Sequence, residues 1–310
     1  MISCTEFIPA YSTLFTYLEE NWGAEEVPAY WSQNFDPAKA PIYGYIRREG
    51  IRGCFSYWTV TLNEEAADFT MYLNEKRGFY LLEMHRCPSK GRLLELKDTV
   101  GVEPYRNYCF HCDHYRASVE ACGLCYIYNF SGIHKAACSI LIYDPKIFDG
   151  RVIIDADTLV MDRRAGDNEY FHRSFHHGLN AGMEYLRVNY GDDHVRRYLE
   201  RFSDTVYRKV AQDAKVRGLA AIREKILDTY AREHALDAVE TELTEEGLSV
   251  KVHYCPALRF MKSEGAAISP LYRLSTETVM EVLAKNAGFG FTMDAYDPET
   301  GAASYRFTYI

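Results

Sequence analysis

The sequence predicts an α+β protein made of two tandem, pseudo-two-fold related modules, each with several helices and an antiparallel sheet of two hairpins. Three observations lead to that class. Matched residues recur at one long offset, apolar residues recur at helical period, and turn-rich segments separate short apolar runs in the later half. The offset is 168 residues: Tyr17-Leu18 through Trp22-Gly23 faces Tyr185-Leu186 through Tyr190-Gly191, Gly50-Ile51 faces Gly218-Leu219, and Cys87-Pro88 faces Cys255-Pro256. After a two-residue slip, Pro104 faces Pro270 and Ala136-Ala137 faces Ala302-Ala303. A period this long means tandem domains, because solenoid repeats are several-fold shorter. The first module is placed at 1–143, a polar and turn-rich connector at 144–168, and the second module at 169–310. Two such units pack most economically as a pseudo-dimer.

The second copy gives the clearer elements. In Glu169–Gly191, His172, His176, Leu179, Met183, Leu186 and Tyr190 fall at alternating steps of four and three, which predicts one helix face ending in two imidazoles. A second helix follows from Asp192 or Asp193 as cap, with Val195, Tyr198, Leu199, Phe202 and Val206 inward. Gly218 interrupts it, and Leu219, Ile222, Ile226 and Tyr230 predict a third. Residues 241–252 read as a hairpin turning at Gly247. Pro256 then opens a short helix at its favoured first position. Helical period returns over 272–286 with Gly288 as C-cap, and a last hairpin pairs Phe289–Tyr296 with Ala302–Tyr309 around Asp297-Pro298-Glu299-Thr300-Gly301.

The bulk numbers narrow the function. The 310 residues carry a net charge of −9, which argues against a nucleic-acid partner, whose binders present a basic face. No apolar run approaches a membrane span, and the start lacks the basic and apolar regions of a secretory signal. Nine cysteines, an odd number, fit a reduced cytoplasmic protein with free thiols. The absence of a G-x-G-x-x-G, Walker, nucleophile-elbow or EF-hand pattern removes most support for dinucleotide and P-loop chemistry.

Chemistry-bearing residues remain in three places. His172 and His176, at i and i+4, share one helix face, the spacing that lets two imidazoles share a metal or a substrate. At the 168-residue offset Cys4 and Ile8 occupy their places in the first copy, so the pair distinguishes one half from the other. Cys87 and Cys255 precede Pro at helix starts, where free N–H groups and the helix dipole favour a thiolate. Cys255 is the stronger of the two because its own copy supplies imidazoles. In YRNYCFHCDHYR (105–116), helical spacing turns Cys109 and Cys112 inward, and His111, Cys112 and Asp113 bring thiol, imidazole and carboxylate within one turn. Cys109, Cys112, Cys122 and Cys125 also spell a zinc-like spacing, but a helix of that length would part Cys109 from Cys122 by roughly 20 Å. Tyr115, Asn180 and Glu184 complete the set as residues that contact a substrate or orient an imidazole. For each of these residues the plainer alternative is a packed core or a solvated surface.

The stretches FHRSFHHGLNAGMEYLRVNYGDDHVRRYL, HYCPALRFMKSEG and DPETGAASYRF resemble the bacterial L-2-amino-thiazoline-4-carboxylic acid hydrolase-like family, over residues 170–309. The resemblance implies a small-molecule hydrolase that opens a C–N bond in a ring or amidine; the chain departs from a single-unit member by holding two copies. Three readings follow. In the first, Cys255 or Cys112 attacks an electrophilic carbon of a cyclic amidine, imide or related heterocycle and His172 or His176 relays the proton, with no cofactor. In the second, His172 and His176 hold a zinc or manganese ion with a thiol or carboxylate. In the third, the pseudo-dimer binds a small ligand without chemistry. Association into a homo-oligomer is compatible with all three.

Overall fold

A computed structural model describes residues 1–310. In chain order the first half runs α1 (Phe7–Trp22), α2 (Glu26–Asn34), α3 (Pro41–Glu49), α4 (Arg52–Glu64), β1 (Asp68–Asn74), β2 (Phe79–Arg86) and α5 (Pro88–Val100). A 3-10 helix at Tyr108–His114 leads into α6 (Tyr115–Glu120), β3 (Cys125–Asn129), β4 (Cys138–Tyr143) and β5 (Leu159–Arg163). The second half runs α7 (Phe175–Tyr190), α8 (Asp192–Val206), α9 (Arg208–Arg217), α10 (Leu219–Arg232), β6 (Val239–Leu243), β7 (Gly247–Val252), α11 (Pro256–Ser263), α12 (Leu274–Ala287), β8 (Phe289–Tyr296) and β9 (Ala303–Tyr309). The protein is mixed α+β, with two antiparallel sheets of five and four strands, in the orders β3-β4-β2-β1-β5 and β6-β7-β9-β8. No helix is long and apolar enough to cross a membrane.

The chain divides into two compact units, one of residues 18–95 and 105–170, the other of 1–17, 96–104 and 171–310. The expected start of the second module at 169 lies two residues from the observed break at 171, whereas residues 1–17 and 96–104 group with the later half and the first unit runs on from 143 to 170. The segment 144–168, read from sequence as a connector, contributes β5, which pairs antiparallel with β1 from Leu73↔Leu159 to Phe69↔Arg163. Its side chains are mostly solvent-facing, as on an edge strand, so no clean alternation of buried residues marks it.

In the first unit, α4 packs on β1 and β2 and buries Trp58 against Tyr80, the rings stacked with centroids 5.4 Å apart. Phe69, Met71, Leu82, Ile140, Ile142 and Val119 close this core, each large apolar side chain contributing about 1.5–3 kcal/mol. In the second unit, period-two alternation sets β7 and β9: Leu248, Val250 and Val252 pair with Phe307, Tyr305 and Ala303, all facing inward. The amphipathic face of α8 (Val195, Tyr198, Leu199 and Phe202) is likewise buried, and the Tyr198 hydroxyl donates to the Ala10 carbonyl at 3.0 Å. The helix expected to run from Asp192 to Gly218 breaks once more, at Tyr207, into α8 and α9.

The two halves share details as well as order. Each has four helices, a hairpin, a helix after Cys-Pro, a further helix and a second hairpin, and apart from β5, which has no counterpart, the strands of each half neighbour one another in the same order. Gly50 and Gly218 both adopt positive φ with extended ψ (60°, −145° and 69°, −159°), a conformation nearly restricted to glycine, at the α3–α4 and α9–α10 corners.

Candidate functional site

The unit holding residues 18–95 and 105–170 brings a thiol and an imidazole into contact. Tyr108–His114 is a 3-10 helix where the spacing predicts α-helix, and its tighter winding lets the His111 ring fold back on its own turn. His111 Nδ1 bonds the Tyr108 carbonyl oxygen, which fixes that nitrogen as the N–H donor. The opposite nitrogen, Nε2, is then an acceptor, and it lies 3.5 Å from Cys112 Sγ. Both side chains are partly exposed. Burial lowers the His111 pKa below the ordinary histidine value, so the ring is neutral at neutral pH. Burial also pushes the Cys112 thiol up to about 12, against a hydrogen bond from the Tyr128 hydroxyl that favours the thiolate. The same hydroxyl reaches Cys138, and the Tyr126 hydroxyl donates to the Cys112 carbonyl at 3.0 Å, so β3 braces the turn.

Glu65 completes this neighbourhood. It caps the C-terminus of α4 and is followed by Ala66 in the left-handed region at φ 49°. Burial pushes its carboxyl up to about 7, although the charges of His111 and Arg92 act in the opposite direction. A carboxyl that titrates near neutrality beside a neutral imidazole can hold or release a proton during a reaction. The other expected residues of this segment have different partners. Asp113 makes a two-point ion pair with Arg116, at 2.8 and 3.2 Å. The Tyr115 hydroxyl lies 3.3 Å from that of Tyr57. A cavity of about 400 Å³ lies on the Asp113 side of the segment, lined by Trp31, Phe35, Asp113, His114, Arg116 and Glu120 among others; neither Cys112 nor His111 lines it.

The remaining expected residues belong to the unit of residues 1–17, 96–104 and 171–310. The helix predicted from Glu169 begins at Phe175, so His172 lies ahead of it and the shared helical face is not formed. The reason is local: the Phe175 and His176 N–H groups bond the carbonyls three residues back, on His172 and Arg173, and this turn holds the helix start back to Phe175. His172 is buried with its ring edge-on to Phe175, centroids 4.4 Å apart. His176 is in α7, and its Nε2 lies 3.0 Å from Glu233 Oε2. The other Glu233 oxygen accepts the Cys4 backbone N–H at 2.6 Å, and the Cys4 thiol also bonds this carboxylate. Burial raises the Glu233 pKa, but the hydrogen bond and charge of His176, with the Cys4 groups, outweigh it and hold the carboxyl below its ordinary value.

Cys255 does stand at the N-cap of α11, as the Cys-Pro step predicts, yet its thiol is a packed one. Sγ donates to Met1 Sδ at 3.5 Å, and burial raises its pKa despite the helix N–H groups beside it. Asn180 spends both ends of its amide on the 267–269 loop, donating to the Ala267 carbonyl at 2.9 Å and accepting from the Ser269 N–H at 2.8 Å. Glu184 is held by Arg187 at 2.6 and 2.9 Å.

Two residues at the centre of these clusters, Glu65 and Glu233, are missing from the sequence reading. The signal existed: they stand in register at the same 168-residue offset, as Glu65-Ala66-Ala67 and Glu233-His234-Ala235. His234, like Ala66, is left-handed, at φ 53°. Against known proteins, no family model, curated protein or solved structure matches the chain.

Proposed function

We propose that the chain is a small-molecule hydrolase that cleaves a C–N bond in a cyclic amidine, imide or related nitrogen heterocycle, with Cys112 as nucleophile and His111 as proton relay. The observation that carries this reading is the Cys112 Sγ–His111 Nε2 contact, with the imidazole oriented by the Tyr108 carbonyl in a partly exposed turn. A thiol raised to about 12 is not a standing thiolate, so its proton leaves as the sulfur attacks. His111 Nε2 takes that proton while the sulfur–carbon bond forms, then returns it to the leaving nitrogen as the C–N bond breaks. Water next attacks the thioester or thioimidate carbon, again losing its proton to His111, and the Cys112 sulfur leaves with it. Glu65 supplies a second proton reservoir near neutrality.

The choice of a C–N bond rests on the resemblance of residues 170–309 to the L-2-amino-thiazoline-4-carboxylic acid hydrolase-like family. The duplication reading is supported by the common element order, the common strand order and the paired glycine corners of the two halves. A reducing, cytoplasmic setting is supported by nine cysteines that form no disulfide. The binding-protein reading draws support from the cavity beside His114.

Turnover of a panel of cyclic amidines, imides and dihydro-heterocycles by Cys112→Ser and Cys255→Ala tests the proposal. Cys112→Ser is expected to abolish turnover and Cys255→Ala to keep it; the reverse order would reject Cys112 as nucleophile.

A further inference from the structure

We infer that Cys4, His176 and Glu233 form a binding site for a divalent cation of the zinc class, independent of the Cys112 chemistry. One ligand atom from each residue lies within 4.8 Å of the other two, so small side-chain shifts bring all three onto a single ion at bonds of about 2.0–2.3 Å. Thiolate, imidazole and carboxylate together suit zinc, which accepts all three donor types, better than the oxygen-seeking magnesium or calcium. The charges also balance: a thiolate and a carboxylate offset a divalent cation around a neutral ring.

The His176 ring can present a nitrogen lone pair to such an ion. His176 Nδ1 is buried with no hydrogen-bond partner, on a side chain only 1% exposed. An ion shared by His176 and Glu233 takes the place of the hydrogen bond at Nε2, and the ring proton moves to Nδ1. Cys4 and Glu233 are 0% and 4% exposed, so a bound ion would be shielded from solvent competition. Binding expels the Cys4 thiol proton to solvent as the S–metal bond forms, and affinity therefore rises with pH. The site ties the segment ahead of α1 to α7 and to the end of α10, giving residues 1–17 a metal-dependent anchor.

The test uses the full chain, reduced and anaerobic, stripped with a chelator and titrated with cobalt(II), then zinc(II). About one cobalt per chain is expected, with a thiolate-to-cobalt charge-transfer band that zinc displaces. Cys4→Ala should lose the band, Cys255→Ala should keep it, and Glu233→Gln should weaken affinity beyond the roughly 10–100-fold that loss of an outer-shell partner costs. X-ray absorption of the zinc-loaded wild type needs no variant to fold: one sulfur with two or more nitrogen or oxygen neighbours is expected. No thiolate band in the wild type, a band that survives Cys4→Ala, or any sulfur count other than one would overturn the site.

Discussion

Replacing Glu65 with glutamine should stabilise the unit that contains it above the ordinary carboxyl range, with the gain growing to about pH 7 and level beyond it. The folded carboxyl titrates at about 7 because burial disfavours its charge, against 4.5 as its ordinary value. Between those two values the unfolded chain has given up the proton while the folded chain retains it, so stability falls as pH rises. Each pH unit is worth about 1.4 kcal/mol, which makes the loss about 3 kcal/mol by pH 8, trimmed to about 2 by the solvent that reaches this partly exposed group. The amide of Glu65→Gln keeps the shape and removes the charge. The variant should therefore match the wild type near pH 4 and exceed it by about 2 kcal/mol at pH 8. Trp22, Trp31 and Trp58 all lie in the unit of 18–95 and 105–170, so urea unfolding followed by tryptophan fluorescence reads that unit alone. A Glu65→Gln protein less stable than wild type at pH 8, or a difference that does not change with pH, would refute the reasoning.

His111→Asn keeps a donor for the Tyr108 carbonyl but removes the base; kcat should drop by about 10²–10⁴ with KM little changed. Because burial lowers the His111 pKa, the acid limb of the wild-type kcat/KM profile should fall below 6.5, and a limb at or above that value contradicts the assignment. In the other unit, Lys225 Nζ meets Glu6 Oε1 at 2.6 Å. Burial acts to raise the Glu6 pKa, but the Lys225 charge and hydrogen bond bring it down to about 2. That pair stabilises the fold above the ordinary carboxyl value and is lost as pH falls toward 2. Lys225→Met should cost about 3–5 kcal/mol at pH 7 by circular dichroism, and Lys225→Met/Glu6→Gln should recover part of it.

Most of the later half was legible in the sequence because its signals are local. Pro256 at a helix start, Gly288 as a left-handed C-cap and the Asp297–Gly301 turn each specify backbone by themselves, and each is where the spacing predicts it. His172 was misplaced because i, i+4 spacing holds only inside a helix, and the turn at Arg173-Ser174 delays the start of α7. Cys112 and His111 were visible as residues, but their contact depends on 3-10 winding, which hydrophobic period does not distinguish from α. Cys4 and Glu233 are separated by 229 residues, so only tertiary packing brings them together. The 168-residue offset nonetheless held the means to find Glu65 and Glu233, since each faces an identical acidic residue there.

The central claim is that the Cys112 sulfur becomes bonded to the substrate carbon during turnover. Acid-quenched reactions with any panel compound that is consumed, digested and mapped by peptide mass spectrometry, read that bond directly. A transient adduct on the Cys112 peptide, with the mass of the ring-opened acyl or imidoyl group and absent in Cys112→Ser, is the expected result. An adduct on Cys255 instead, or full turnover with an unmodified Cys112 and an active Cys112→Ser protein, would contradict it.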